Sequence, residues 1–166
     1  FAVSGLVGAR RLRGAGVTKP ILMLGYTSPQ QAALLARNAI TQTVYSLEYA
    51  RQLSAAATAA GVDVRVHIKL DTGMGRIGFR SNTPEDCAKA LLPLFELDKL
   101  SIEGIYTHFA VADSVDADDM AYTQAQEDFI VAVYDRLAEL GHPLKHTHFM
   151  NSDATVPRPN PTATPA

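Results

Sequence analysis

Lys69, Asp71 and Arg76 fall close together in the stretch H-I-K-L-D-T-G-M-G-R-I-G-F, which runs from His67 to Phe79. The stretch opens as a strand and ends among glycines, so the charges lie where a strand gives way to a loop. A lysine amine can add to a carbon centre or accept a proton once it is neutral. A guanidinium offers a fixed fork of donors to a carboxylate or phosphate. Taken alone, the three side chains could equally form a surface ion pair of little worth.

Similar residues recur after other apolar runs. Tyr106-Thr107-His108-Phe109-Ala110 leads to Asp113, and His148-Phe149-Met150 leads to Asn151-Ser152. Gly25-Tyr26-Thr27 follows a shorter run. Each has a plainer role: His108 as a core histidine, Asn151-Ser152 as a helix cap, Asp113 as a loop cap. Their recurrence after successive strands is the stronger signal, because sites in βα proteins collect at the carboxyl ends of strands.

The elements that must carry these residues alternate. Strands are expected at Phe1–Val3, Ile21–Leu24, Thr43–Tyr45, Val62–Leu70, Ile102–Phe109 and His146–Phe149. Between them, Ser4 is a candidate cap for a helix with Leu6, Ala9 and Leu12 on one face, stopped by Gly14 and Gly16. Ser28-Pro29 reads as a cap with proline at the first helical position. Ser46 caps a helix with Leu47, Ala50, Leu53 and Ala57 inward, closed by Gly61. Thr83-Pro84-Glu85-Asp86 resembles a capping box with Asp in place of Glu. It opens a helix whose apolar stripe includes Cys87, Leu91, Leu94 and Phe95, so Cys87 reads as core. A long helix from Asp118 to Leu140 sets Ala121, Ala125, Phe129, Val133 and Leu137 at four-residue intervals. Repeated βα alternation implies parallel strands, since parallel neighbours need a crossover. A doubly wound sheet and a (β/α)8 barrel both fit. Six units in series, with no G-x-G-x-x-G after the first strand, favour a partial barrel lacking its first and last strands.

Of 166 residues, 47% are hydrophobic and the net charge is -2, an ordinary globular composition with no electrostatic case for nucleic acid or a membrane surface. The single cysteine excludes an internal disulfide and suits a reducing, cytoplasmic setting. The chain opens on Phe1 and closes on P-R-P-N-P-T-A-T-P-A, where prolines exclude helix or interior strand. A piece of a longer protein is expected, with residues 1–156 as a partial barrel domain and 157–166 as an irregular proline-rich tail.

The run from His67 to Phe79 strongly resembles the signature of the alanine racemase family, pyridoxal-phosphate enzymes with a barrel domain followed by a β domain. F-A-V with L-R-x-A-G-V, I-L-M-L-G-Y-T-S-P, E-G-I-Y-T-H-F-A-V-A-D and H-F-M-N-S-D-A continue the likeness in order over residues 1–156. Two of these stretches also resemble the racemase domain of vancomycin-resistance serine racemases, a subgroup that carries a membrane segment. The resemblance implies racemisation of alanine or serine for peptidoglycan precursors, with pyridoxal 5'-phosphate as cofactor, an amino-acid substrate, no metal, and a homodimeric parent.

Residue by residue, the resemblance sets Arg76 near the cofactor's phenolic oxygen and the substrate carboxylate. Lys69 matches a lysine carbamylated in many members, where a carbamate would turn one of two neighbouring cations into an anion that orients Arg76. His108, and with it His148, match histidines of the network beside the pyridine ring. Ser152 and its neighbour Asn151 match the phosphate ligands. The lysine that forms the Schiff base, the tyrosine that acts as second base, and the arginine facing the pyridine nitrogen have no counterpart in this sequence. The stretch alone is therefore expected to be inactive. Another barrel enzyme of the same cofactor, of the D-threonine-aldolase or decarboxylase type, would carry different wording around the glycines. A catalytically silent phosphate- or partner-binding module is the remaining alternative.

Overall fold

The computed structural model describes residues 1–149. Asn151, Ser152 and the proline-rich tail lie outside the described residues. Six strands, β1 (Ala2–Val3), β2 (Ile21–Met23), β3 (Ile40–Val44), β4 (Val64–Lys69), β5 (Leu100–Tyr106) and β6 (His146–His148), follow one another in chain order across a single sheet. The registered pairs are parallel, as the alternation requires. Helices α1 (Leu6–Gly14), α2 (Ala32–Arg37), α3 (Leu47–Ala60), α4 (Pro84–Phe95) and α5 (Ala117–Glu139) lie between the strands in sequence. By contact the chain divides into two compact units.

The first unit, Phe1–Ile68 with Pro93–Glu103, carries β1 to β3 and most of β4. Its strands are short and largely buried; Ile21, Met23, Ile40 and Val44 are buried with Leu35, Leu53 and Val66, and β3 also buries Thr41, Gln42 and Thr43. Ser46 caps α3 as its sequence implies, with its Oγ accepting from the Tyr49 N–H at 3.2 Å, a contact worth about 1 kcal/mol. Two other caps differ. The residue before α1 is Gly5, with no side-chain bond, so Ser4 is not the cap. Ser28-Pro29 opens a 3-10 turn, Pro29–Gln31, before α2 begins, and the Ser28 hydroxyl donates to the Gln30 side chain instead of capping. Arg13 ties the unit's connections together. Its guanidinium donates to the carbonyls of Val17, Lys19, Asn38 and Ala39 at 2.7 to 2.8 Å.

The second unit comprises Lys69–Leu92 and the residues from Gly104 onward. Cys87 and Leu91 of α4 are buried, and burial pushes the Cys87 thiol up to about 11. At the start of α4 the Thr83 Oγ1 accepts from the Asp86 N–H at 3.1 Å. The Asp86 carboxylate accepts from the Thr83 hydroxyl at 2.7 Å, so the reciprocal half of a capping box is replaced by a side-chain pair. Aspartate is one methylene shorter than the glutamate that normally reaches back. The long helix α5 buries Thr123, Gln126, Ile130, Val133 and Leu137, not the expected run through Ala121, Ala125 and Phe129. Steps of four residues overshoot a turn by about 40° each, so a strict four-residue run winds off the buried face. The alternating three-and-four spacing stays on it.

Candidate active site

The second unit holds the charged residues singled out by sequence, apart from those outside the described range. Lys69 ends β4, and the next amide, Leu70 N–H, donates to the Tyr106 carbonyl at 2.8 Å. Tyr106 in turn is the register partner of His148. Parallel pairing therefore sets Lys69, Tyr106 and His148 in a row across the ends of three neighbouring strands. The rings of Tyr106 and His148 stack at 4.9 Å with 3° between planes. The Lys69 Nζ lies 4.9 Å from the Tyr106 ring centre, within range of a cation–π contact.

The loop after β4 leaves the sheet and comes straight back. Phe79 N–H donates to the Lys69 carbonyl and Asp71 N–H to the Phe79 carbonyl, both at 2.9 Å. Residues 72–78 thus form a closed excursion that carries Arg76. Gly78, at φ 134°, is forced by this return: a Cβ there would stand 2.6 Å from the Asp71 nitrogen and 2.9 Å from the Lys69 oxygen. Asp71 forms no ion pair with Lys69 or Arg76. Its Oδ1 accepts from the Gly73 and Gly75 N–H groups at 3.2 and 2.9 Å and so braces the loop from within.

Electrostatics follow from this placement. Lys69 is 6% exposed, and its ammonium is held down to about 8, first by burial and then by the nearby Arg76 charge; Asp71 opposes the shift weakly. His108 is lowered by burial and by both cations, Lys69 and Arg76. Burial, His146 and Lys69 bring His148 down to about 4. Lys69, Arg76, His108 and His148 therefore share one electrostatic neighbourhood. Near pH 7 its imidazoles are neutral and its one buried lysine is poised to lose a proton.

Comparison with known proteins fixes the family. Residues 1–164 match the alanine racemase N-terminal domain. The chain belongs to the alanine racemase family. It is 44% identical to the alanine racemase of Desulfovibrio desulfuricans over 151 residues, 91% of this chain and 39% of that protein. A solved alanine racemase of Clostridium difficile superposes with a TM-score of 0.82 at 37% identity, over 94% of this chain and 39% of that one. A histidine racemase from Leuconostoc mesenteroides gives 0.75 at 29% identity, over 92% and 39%. The chain thus spans about two fifths of the length of these relatives. Its fold is part of the (β/α)8 barrel of alanine racemases, as its alternation implies.

Sequence reasoning missed the side chains that hold the loop after β4. Gln126 and Tyr122, both on α5, reach the loop that carries Arg76. The signal was available at Gln126 as a polar residue on the helix's inward face, but the misplaced four-residue stripe hid it. Among the described residues, no helix is long and apolar enough to cross a membrane.

Proposed function

We propose that the chain furnishes the ring-side and carboxylate-side part of an active site that interconverts L- and D-alanine, with pyridoxal phosphate as cofactor. The observation that carries this reading is the row of buried Lys69 and Tyr106 with half-buried His148, under the field of Arg76. The residues suit an anionic aromatic cofactor. The Arg76 guanidinium would attract its charge, and two imidazoles that are neutral near pH 7 can donate or accept beside its ring. When bound, the cofactor supplies the electron sink that makes the substrate's α-proton removable.

This chain's own residues bind and orient. Arg76 presents its fork to the substrate carboxylate, fixing which bond faces the proton-transferring groups. Lys69, with its amine partly neutral, adds carbon dioxide to form a carbamate and releases a proton. The resulting anion pairs with Arg76 and holds it in place. His108 and His148 hold the ring's polar edge, and Asn151 and Ser152 hold the phosphate. The reaction would supply D-alanine for peptidoglycan precursors in a homodimeric protein. The amino acid itself is a proposal, since relatives of the same fold carry the names of both alanine and histidine racemases.

The experiment is reductive trapping. The protein with its native flanking sequence is incubated with pyridoxal phosphate, reduced with borohydride and mapped by mass spectrometry. Interconversion of the L- and D-forms of alanine and serine is followed in parallel. A cofactor adduct on a lysine other than Lys69, together with alanine racemisation, supports the reading. An adduct confined to Lys69, or no racemisation, overturns it.

A further inference from the structure

Gln126 is 1% exposed, and both ends of its side chain are used. Its Oε1 accepts from the Ala110 N–H at 3.1 Å. Its Nε2 donates to the Thr72 Oγ1 at 3.0 Å. The amide's orientation is forced, because a backbone N–H can only donate. The rest of the chain of bonds then has one direction. The Thr107 hydroxyl donates to the Leu70 carbonyl at 3.1 Å, so the Thr72 hydroxyl donates to Thr107 across 2.8 Å. Each hydroxyl gives one bond and takes one. Beside this line, the Tyr122 hydroxyl donates to the Gly73 carbonyl at 2.9 Å. Gly73 itself has no room for a side chain under Tyr122 and Gln126.

The two anchored stretches are those that carry chemistry. Thr72 and Gly73 open the loop bearing Arg76. Thr107 and Ala110 bracket His108. We infer that Gln126 is a positioning residue, a buried clamp on α5 that fixes the Arg76 loop and the His108 turn against each other. Its hydrogen bonds go to Ala110 and Thr72 and not to Arg76 or His108. It acts by holding the two loops in one register, and a leucine of similar size would fill the space without holding either. This inference rests on the proposed racemase function for its catalytic meaning, but the clamp itself can be read without it.

The test pairs amide hydrogen exchange with kinetics. Gln126→Leu should speed exchange in residues 71–79 and 107–113 on the order of tenfold or more, while Ile21–Met23 and Ile40–Val44 keep wild-type rates. Gln126→Glu keeps the acceptor for Ala110 and loses the donor to Thr72, so it should loosen 71–79 alone. In the protein with its native flanking sequence, loaded with pyridoxal phosphate, Gln126→Leu should lower kcat per bound cofactor on the order of 100-fold, with KM changing far less. Unchanged exchange in both stretches, exchange rising equally in β2 and β3, or an unchanged kcat per bound cofactor overturns the inference. A wild-type protein that racemises nothing refutes the proposed function, and the exchange data alone then decide the clamp.

Discussion

The amine of Lys69 should react with carbon dioxide at neutral pH, and the expected size of the effect follows from its burial. An ordinary lysine at pH 7.5 is about 0.1% neutral; with the ammonium held down to about 8, the neutral fraction rises to about a quarter, roughly 200-fold. Only the neutral amine adds carbon dioxide, forming an N–C bond and releasing one proton. Burial, however, disfavours the carbamate anion as much as it disfavours the ammonium. The Arg76 charge breaks that symmetry, because it repels the ammonium and attracts the carbamate. Carbon-13 NMR in labelled bicarbonate should therefore show a carbamate signal between pH 7 and 8.5 that is lost in Lys69→Met. Arg76→Gln should lower its occupancy about tenfold or more. Wild-type protein without the signal, or a Lys69 amine found to titrate near an exposed lysine's value, refutes the electrostatic reasoning.

The same shifts set a stability profile. His148 is lowered in the folded state, so the unfolded chain binds more protons between about 4 and 6.5. The His148 contribution is then full above pH 6.5 and falls by up to about 3 kcal/mol toward pH 4, and urea titrations of His148→Phe should lack that part of the slope. Lys69 contributes in the same sense higher up: without bicarbonate, stability should rise from about pH 8 toward 10.5 and should not do so in Lys69→Met. Gly78→Ala, forced into a left-handed backbone against the β4 end, should cost about 2 kcal/mol or more by urea unfolding. Ile130→Ala should cost about 2–5 kcal/mol, and Ala125→Ser, on the same helix but off its buried face, under about 0.5. Cys87 should resist iodoacetamide at pH 8 in the native protein and react at once in urea.

The alternation of strands and helices could be read because each element carries its own local signal. Ser46 and Gly61 frame α3, and β2 is a buried run of Ile, Leu and Met. What failed were readings that depend on which direction a side chain takes. Ser4 and Ser28 are cap residues by type, yet Ser4 is not at the cap of α1, and Ser28, although it precedes Pro29 at the start of the 3-10 turn, makes no side-chain cap bond. The α5 stripe held at Val133 and Leu137 and failed toward the helix start, because small alanines fit both faces of a helix, whereas Ile130 and Gln126 are committed inward. The site was legible as a set of residues at strand ends, but its wiring was not. Tyr106 reads as one more strand aromatic until the register sets it between Lys69 and His148. Nothing local to Q-A-Q-E-D marks Gln126 as the residue that reaches Thr72, 54 positions away.

Two cations next to a carboxylate at a strand end suggest a neutralised cluster, and the fold arranges the opposite. Asp71 spends its acceptor on the loop amides. That choice stiffens the loop and leaves the mutual repulsion of Lys69 and Arg76 largely uncompensated. A fully paired Lys69 would stay protonated and chemically inert at neutral pH. An exposed one would be protonated as well, for want of any desolvation. Only a lysine that is both buried and next to an arginine is driven to give up its proton where an anion in its place would be welcome. The glycines complete the arrangement, because a loop that turns back onto its own strand within eight residues of Asp71 can hold Arg76 that close only if Gly78 has no side chain to meet the backbone it crosses.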